Sequence, residues 1–416
     1  MAYSADMIST KGLFVLTVAS VLVSGCGTEP LDLSEPDSIP EIRTPAGDGS
    51  GEPNLSIDKD GRVLLSWIEP AGEDGDRLRF ATLDAGVMEW SSARSVAQGP
   101  NWFVNWADFP SVIPISGDRL AAHWLAKTGP DTYAYGVNVS LSGDGGQTWS
   151  EPIVPHGDGT QTEHGFVSML PMDDGSVSAV WLDGREMAGD GGSGDMTLRH
   201  GFIRADGSVE ADTLLDDRVC ECCQTSAARI PDGQIVVYRN RSEEEIRDIS
   251  IVSYRDGQWS DPRALSNDGW QIHGCPVNGP SISASGNRVA VAWFTGANDE
   301  PRVSLVLSDD SGETFNDPIR IDNGNPLGRV EVLMLDRSAF VIWMGQTDEG
   351  AQVHLGQVDR RGTLLGSWVV TDTSEARSSG FPQLVGNSER VVLAWTDARR
   401  PSTIRTAVIA LQGYSD

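Results

Sequence analysis

Three sets of side chains in this 416-residue chain are suggestive by type and spacing. Cys220, Cys222 and Cys223 share one four-residue run, and Cys275 follows with His273 two positions before it. Thiols gathered in this way oxidise when exported, stapling Cys220 or Cys223 to Cys275, or they take a soft cation such as copper or zinc, with His273 or His164 as partners. Four cysteines allow three pairings, and Cys-x-Cys-Cys is not a zinc-ribbon spacing, so the disulfide is the favoured reading. The second set is Arg185, Arg239, Arg241 and Arg399, because converging guanidinium groups grip a carboxylate bidentately. Against that stands plain Asp–Arg pairing, with Asp183 or Asp397 beside an adjacent arginine. The third set is acidic and aromatic. Asp108, Glu163 and Asp183 are candidate general acids, whereas Trp102, Trp106 and Trp270 either stack on a ligand or cap the core.

Side chains so far apart in sequence need a scaffold that returns them to one place, and a repeat supplies it. A short β-rich run ending in an aromatic residue recurs at Trp67, Trp124, Trp181, Tyr238, Trp293, Trp343 and Trp395. The intervals are 57, 57, 57, 55, 50 and 52 residues. Another apolar run precedes each mark, a third alternating run follows it, and a fourth begins near an outer aromatic such as Trp90, Trp149 or Trp259. Four short strands per unit at a period of about 50 residues predict an all-β propeller. Seven blades are favoured over six, with Glu41-Ile-Arg-Thr-Pro45 closing the ring as the outer strand of the last. The residues after each aromatic mark and the blade-to-blade crossings then share one face. That face carries the arginines, the cysteines and His164 within Thr162-Glu-His-Gly-Phe166.

Two turns carry a family likeness. Ser142-Gly-Asp144-Gly-Gly-Gln-Thr-Trp149 and Ser308-Asp-Asp310-Ser-Gly-Glu-Thr-Phe315 match the Asp-box pattern, and the chain from 40 to 412 resembles the sialidase-like propellers that carry such BNR repeats. The likeness implies a structural role for Asp144, Trp149, Asp310 and Phe315 on the face away from the active site. It implies further that Arg185, Arg239 and Arg399 clamp a sialic-acid-like carboxylate, with Asp108 or Asp183 as acid. The sequence departs from the active enzymes in two respects. Arg229-Ile-Pro231 lies mid-chain on the opposite face, and none of Tyr133, Tyr135 and Tyr238 stands where the family's nucleophilic tyrosine is expected.

Composition narrows the partners. With 31 Lys plus Arg against 60 Asp plus Glu, the net charge is −29, which repels nucleic acid and anionic lipid. Leu13–Val23 is apolar but too short to span a bilayer, and with the small residues before Cys26 it reads as a signal segment resembling a bacterial lipobox. The expected layout is a signal peptide over 1–25, lipidation at Cys26, a tether over 26–39 and a propeller over 40–412, held at the cell envelope, by resemblance at the outer membrane. The expected function is recognition, and in the catalytic case hydrolysis, of an anionic glycan-like ligand, with no certain cofactor. Alternatives are a non-catalytic interaction propeller and a metal-binding or redox protein built on the cysteines.

Overall fold

A computed structural model describes residues 1–2, 39–189 and 194–411. The expected signal segment, Cys26 and most of the tether lie outside the described residues. The rest forms seven antiparallel sheets around an axis. They are blade 1 (51–99), blade 2 (111–153), blade 3 (164–216), blade 4 (226–264), blade 5 (281–320), blade 6 (326–373) and blade 7 (383–410 with 41–42). Blade 2 has three regular strands, and paired hydrogen bonds between Val139 and Ile153 mark the place of its fourth. The ring closes as expected, with Glu41 opposite Ala407 and Ile42 opposite Thr406. At that seam the buried Arg390 donates to the carbonyls of Gly61, Leu83, Asp84 and Val87 in blade 1.

The aromatic repeat is the structural repeat. Trp67, Trp181 and Trp293 have no exposed surface, and Tyr238 and Trp343 have 1%. Each of the seven apolar clusters sits astride two neighbouring blades, so every seam is a core of its own. A lone four-stranded meander has nothing to cover its second face, and stacking around the axis covers both. Truncating one of these indoles to alanine costs on the order of 3–5 kcal/mol.

The two turns matched to the Asp-box pattern have a clear internal logic. The Asp144 carboxylate accepts the Gln147 and Thr148 backbone N–H groups and the Thr148 hydroxyl, which hold it down to about 2. Gly146 has φ +79°, and a Cβ there would collide with the Phe80 ring, against which Trp149 packs edge-on. Asp310 repeats the arrangement with Thr314. Gly145 donates to the Asp118 carbonyl and Ser311 to that of Asn287, so both boxes lie with the first-to-second-strand turns. Arg229 pairs with Asp173 on that same face. The crossings occupy the other, where Gln224 donates to the Ala107 carbonyl and accepts the Gly279 N–H, tying three of them together.

Candidate functional site

The crossing face covers an axial channel of about 340 Å³ lined by the first strands of all seven blades. Among the described residues Glu331 is the only ionisable one on its wall, and burial raises its carboxyl to about 8. Phe109 and Phe381 close the channel on the crossing side, and Trp106 stacks on Phe381 with ring centroids 5.7 Å apart. Beside this lid, three segments bring together one titratable cluster.

Its centre is Tyr135, which opens the third strand of blade 2 and is completely buried under Phe103, the two rings stacked 3.8 Å apart. The Tyr135 hydroxyl lies 2.9 Å from Asp108 Oδ2 and 2.7 Å from Glu163 Oε1. Asp108 Oδ1 accepts the Phe166 backbone N–H at 2.7 Å, an N–H aimed inward by the positive φ of 52° at Phe166. Gly165 is obligatory here, because any Cβ would strike Asp108 and the Tyr135 ring. A phenol has one proton to give, so two carboxyl groups around one hydroxyl cannot both be bare acceptors. Burial is the main influence on both acids, raising Asp108 to about 7 and Glu163 to about 8, with Asp108, Glu221 and Cys220 adding to the rise at Glu163. Burial and Asp76 raise Glu52 to about 7, and Glu52 lines one small recess together with Asp108, Asn105 and Trp102. Among the described residues no cation pairs with Glu52, Asp108 or Glu163. The cluster therefore holds a proton at neutral pH, and Glu163 and Glu52 are its half-buried members.

The predicted arginines are placed differently. Arg185 grips Asp183 through Nε at 2.8 Å and Nη2 at 2.7 Å and reaches Asp212 at 2.6 Å. Arg239 is 1% exposed, and its three nitrogens donate to the carbonyls of Asn278, Arg247 and Phe294, with the Trp270 ring against it. Arg241 binds Glu245 and Glu221. Arg399 folds back onto Asp397 and is 79% exposed. The expected carboxylate clamp is thus corrected to acid pairing and carbonyl bracing, because each arginine already faces acceptors on its own blade or the segments next to it. Asp183, expected as an acid, is fully buried. Burial alone would raise it, but Arg185, His164 and Trp181 together hold it low. His164 lies between Asp183 and Asp158 and stacks on His156 at 3.9 Å. His156 accepts the Val137 N–H at Nε2, so its Nδ1 carries the proton and points at Asp158, which leaves this group unsuited to a metal. The three crossing tryptophans are half-buried and pack on aromatic neighbours: Trp102 on Trp124, Trp106 on Phe381 and Trp270 on Phe294.

The cysteines meet as expected, but the bond joins Cys222 to Cys275, with Cα atoms 6.0 Å apart. Cys220 and Cys223 turn inward instead, at 1% and 2% exposure. His273 is exposed and His164 belongs to the Asp158 group, so neither joins the sulfurs.

Sequence reasoning set Tyr135 aside and passed over Glu52, Arg247, Arg329 and Arg377. Arg329 lies over Trp106 at 4.8 Å and donates to the carbonyls of Glu375, Ala376 and Gly380 and to the Met344 thioether. Burial and the nearby Arg377 lower it to about 10. Arg377 itself is exposed at the rim of the lid.

No family profile and no curated protein matches the sequence. Solved structures do match in shape. An ulvan lyase of polysaccharide lyase family PL25 superposes with a TM-score of 0.57 at 11% identity, over 89% of this chain and 96% of that one. A protein of unknown function from Dyadobacter fermentans gives 0.51 at 13%, over 89% and 97%. An α-L-arabinanase from Penicillium chrysogenum gives 0.50 at 11%, over 90% and 98%. At these identities the likeness is one of fold alone: the chain, a seven-bladed propeller, shares the overall architecture of those proteins.

Proposed function

We propose that this chain is a carbohydrate-processing propeller in which Glu163 is the general acid. The observation that carries the reading is the pair of carboxyl groups sharing the Tyr135 hydroxyl beside the lid. Asp108 takes a backbone N–H and fits the role of charged acceptor, so the shared proton rests on Glu163, with the phenol linking the two acids. A carboxylic acid kept neutral near pH 7 is what protonation of a leaving glycosidic oxygen requires. Tyr135 has no exposed surface and burial raises it well above its usual range, so it holds and passes a proton and does not attack a sugar. Arg377, with Arg329 behind it, offers the positive charge that an anionic glycan would meet on an otherwise acidic surface. Lipidation at Cys26 would hold the propeller at the bacterial envelope, and replacing Cys26 by serine is expected to release the chain from membranes.

The test is a panel of arabinans, sialosides and uronic-acid polysaccharides incubated with purified chain, read by new reducing ends and by unsaturated products. Turnover that Glu163→Gln abolishes supports the reading. A second reading, recognition without chemistry, is favoured by the already paired arginines, and glycan binding without turnover would select it. Neither binding nor turnover would remove both.

A further inference from the structure

The mouth of blades 4 and 5 carries a second chemistry that the carbohydrate reading does not use. Cys220 Sγ lies 2.7 Å from Cys223 Sγ and 3.9 Å from Cys222 Sγ, and Cys222 is bonded to Cys275. Four sulfurs are therefore in series, from two buried thiols through a half-buried sulfur to one on an exposed residue. Arg247 Nη1 lies 3.4 Å from Cys220 Sγ and is itself only 4% exposed. Burial, the largest influence on Cys220, would raise it, but the Cys223 thiol, the Cys222 backbone N–H, Arg247 and Arg239 together bring it down to about 7. Burial and its neighbour push Cys223 up well above the ordinary thiol range. One thiol is lowered beside a partner that is raised, the division of labour of a Cys-x-x-Cys exchange pair, and Cys220-Glu-Cys-Cys223 has that spacing.

We propose that Cys220, Cys223, Cys222 and Cys275 form a thiol–disulfide relay that exchanges electrons with an external thiol or disulfide through Cys275. The Cys220 thiolate attacks Cys222 Sγ, the Cys222–Cys275 bond breaks, and Cys275 leaves as a thiolate that takes a proton from water. Cys223 then loses its proton and attacks Cys220 Sγ, closing Cys220–Cys223 and releasing Cys222 as a thiol. One disulfide and two thiols become one disulfide and two thiols, so two electrons have moved outward with no net oxidation. An external disulfide reoxidises the Cys222/Cys275 dithiol and departs as two thiols. Two guanidinium groups beside the inner thiols favour a thiolate and oppose a metal cation in the same place.

The full chain, purified without reductant, is equilibrated in graded glutathione buffers, acid-quenched, alkylated and mapped by mass spectrometry. The one-disulfide pool is expected to contain both the Cys222–Cys275 and the Cys220–Cys223 forms in a ratio that re-establishes after either is trapped and released. Cys275→Ser is expected to slow reduction of the inner pair at least tenfold. Should that variant not fold, the wild-type pool decides alone. Faster exchange with glutathione than with a protein dithiol such as thioredoxin assigns a small-molecule partner, and the reverse assigns a protein. A pool with one fixed pairing, reaction with neither reagent, or four reduced cysteines holding stoichiometric zinc or copper would overturn the relay.

Discussion

Two buried acidic groups on the crossing face have opposite fates. Around blade 3, Asp183 and Asp158 lie beside Arg185 and the stacked histidines, and both are held below the usual carboxylate range, Asp158 at about 2 by the Thr160 hydroxyl first, then His164, the Thr160 N–H and Arg185. Asp108, in the preceding crossing, and Glu163, in the same crossing as Asp158, share the Tyr135 hydroxyl and have no cation, and burial raises them to about 7 and 8. Burial pushes all four carboxyls up, so the partners make the difference. A carboxylate next to a guanidinium becomes a fixed structural charge, and one next to a phenol and a second carboxyl becomes a place to keep a proton.

Mutations should separate the two groups cleanly. Glu163→Gln is expected to lower turnover of any substrate found in the glycan panel by about 10²–10⁴-fold while circular dichroism stays unchanged. Equal loss of fold and activity would return Glu163 to the structural class. Asp183→Asn should do the reverse, with a loss of about 3–5 kcal/mol in denaturant unfolding because Arg185 and His164 lose a buried counter-charge. A loss below about 1 kcal/mol would show that this ion pair is not a structural brace.

The pH dependence has opposite signs at the two places. A raised carboxyl favours folding below its unfolded value near 4, and that contribution fades as pH climbs through about 7 to 8. Unfolding free energy should therefore drop by ~1 kcal/mol or more between pH 5 and 8 on account of Asp108 and Glu163, and Glu163→Gln should flatten the slope. The lowered Asp158 acts in the other window: its contribution is complete above about pH 5 and disappears as pH falls through about 4 toward 2. The smallest effect belongs to Arg399→Ala. With Arg399 paired only to Asp397 at an exposed rim, the melting temperature is expected to stay within error, and a shift of several degrees would reveal an interaction beyond that pair.

Much of the architecture was legible because the aromatic on each second strand reports a seam regardless of what the loops do. The period, the seventh blade and the closing strand at Glu41 all follow from that one packing need. Local pairings were legible too: Asp183 with Arg185 and Asp397 with Arg399 are two residues apart, and both form. The proton-holding cluster was not. Tyr135 meets partners 27 and 28 residues away in two different crossings, and its position depends on how Gly165 lets those segments close. The disulfide partner was missed for a related reason. Which of three neighbouring cysteines faces Cys275 depends on the inward turn of Cys220 and Cys223 toward Arg239 and Arg247, and no spacing rule encodes that turn.

The central claim is that a proton resides between Asp108, Tyr135 and Glu163 at neutral pH. Carboxyl ¹³C NMR on chain labelled at Asp and Glu, assigned with Glu163→Gln, measures it directly. The account predicts one neutral carboxyl in the cluster at pH 7 that ionises near pH 8, and two fully ionised carboxylates by pH 5 would contradict it.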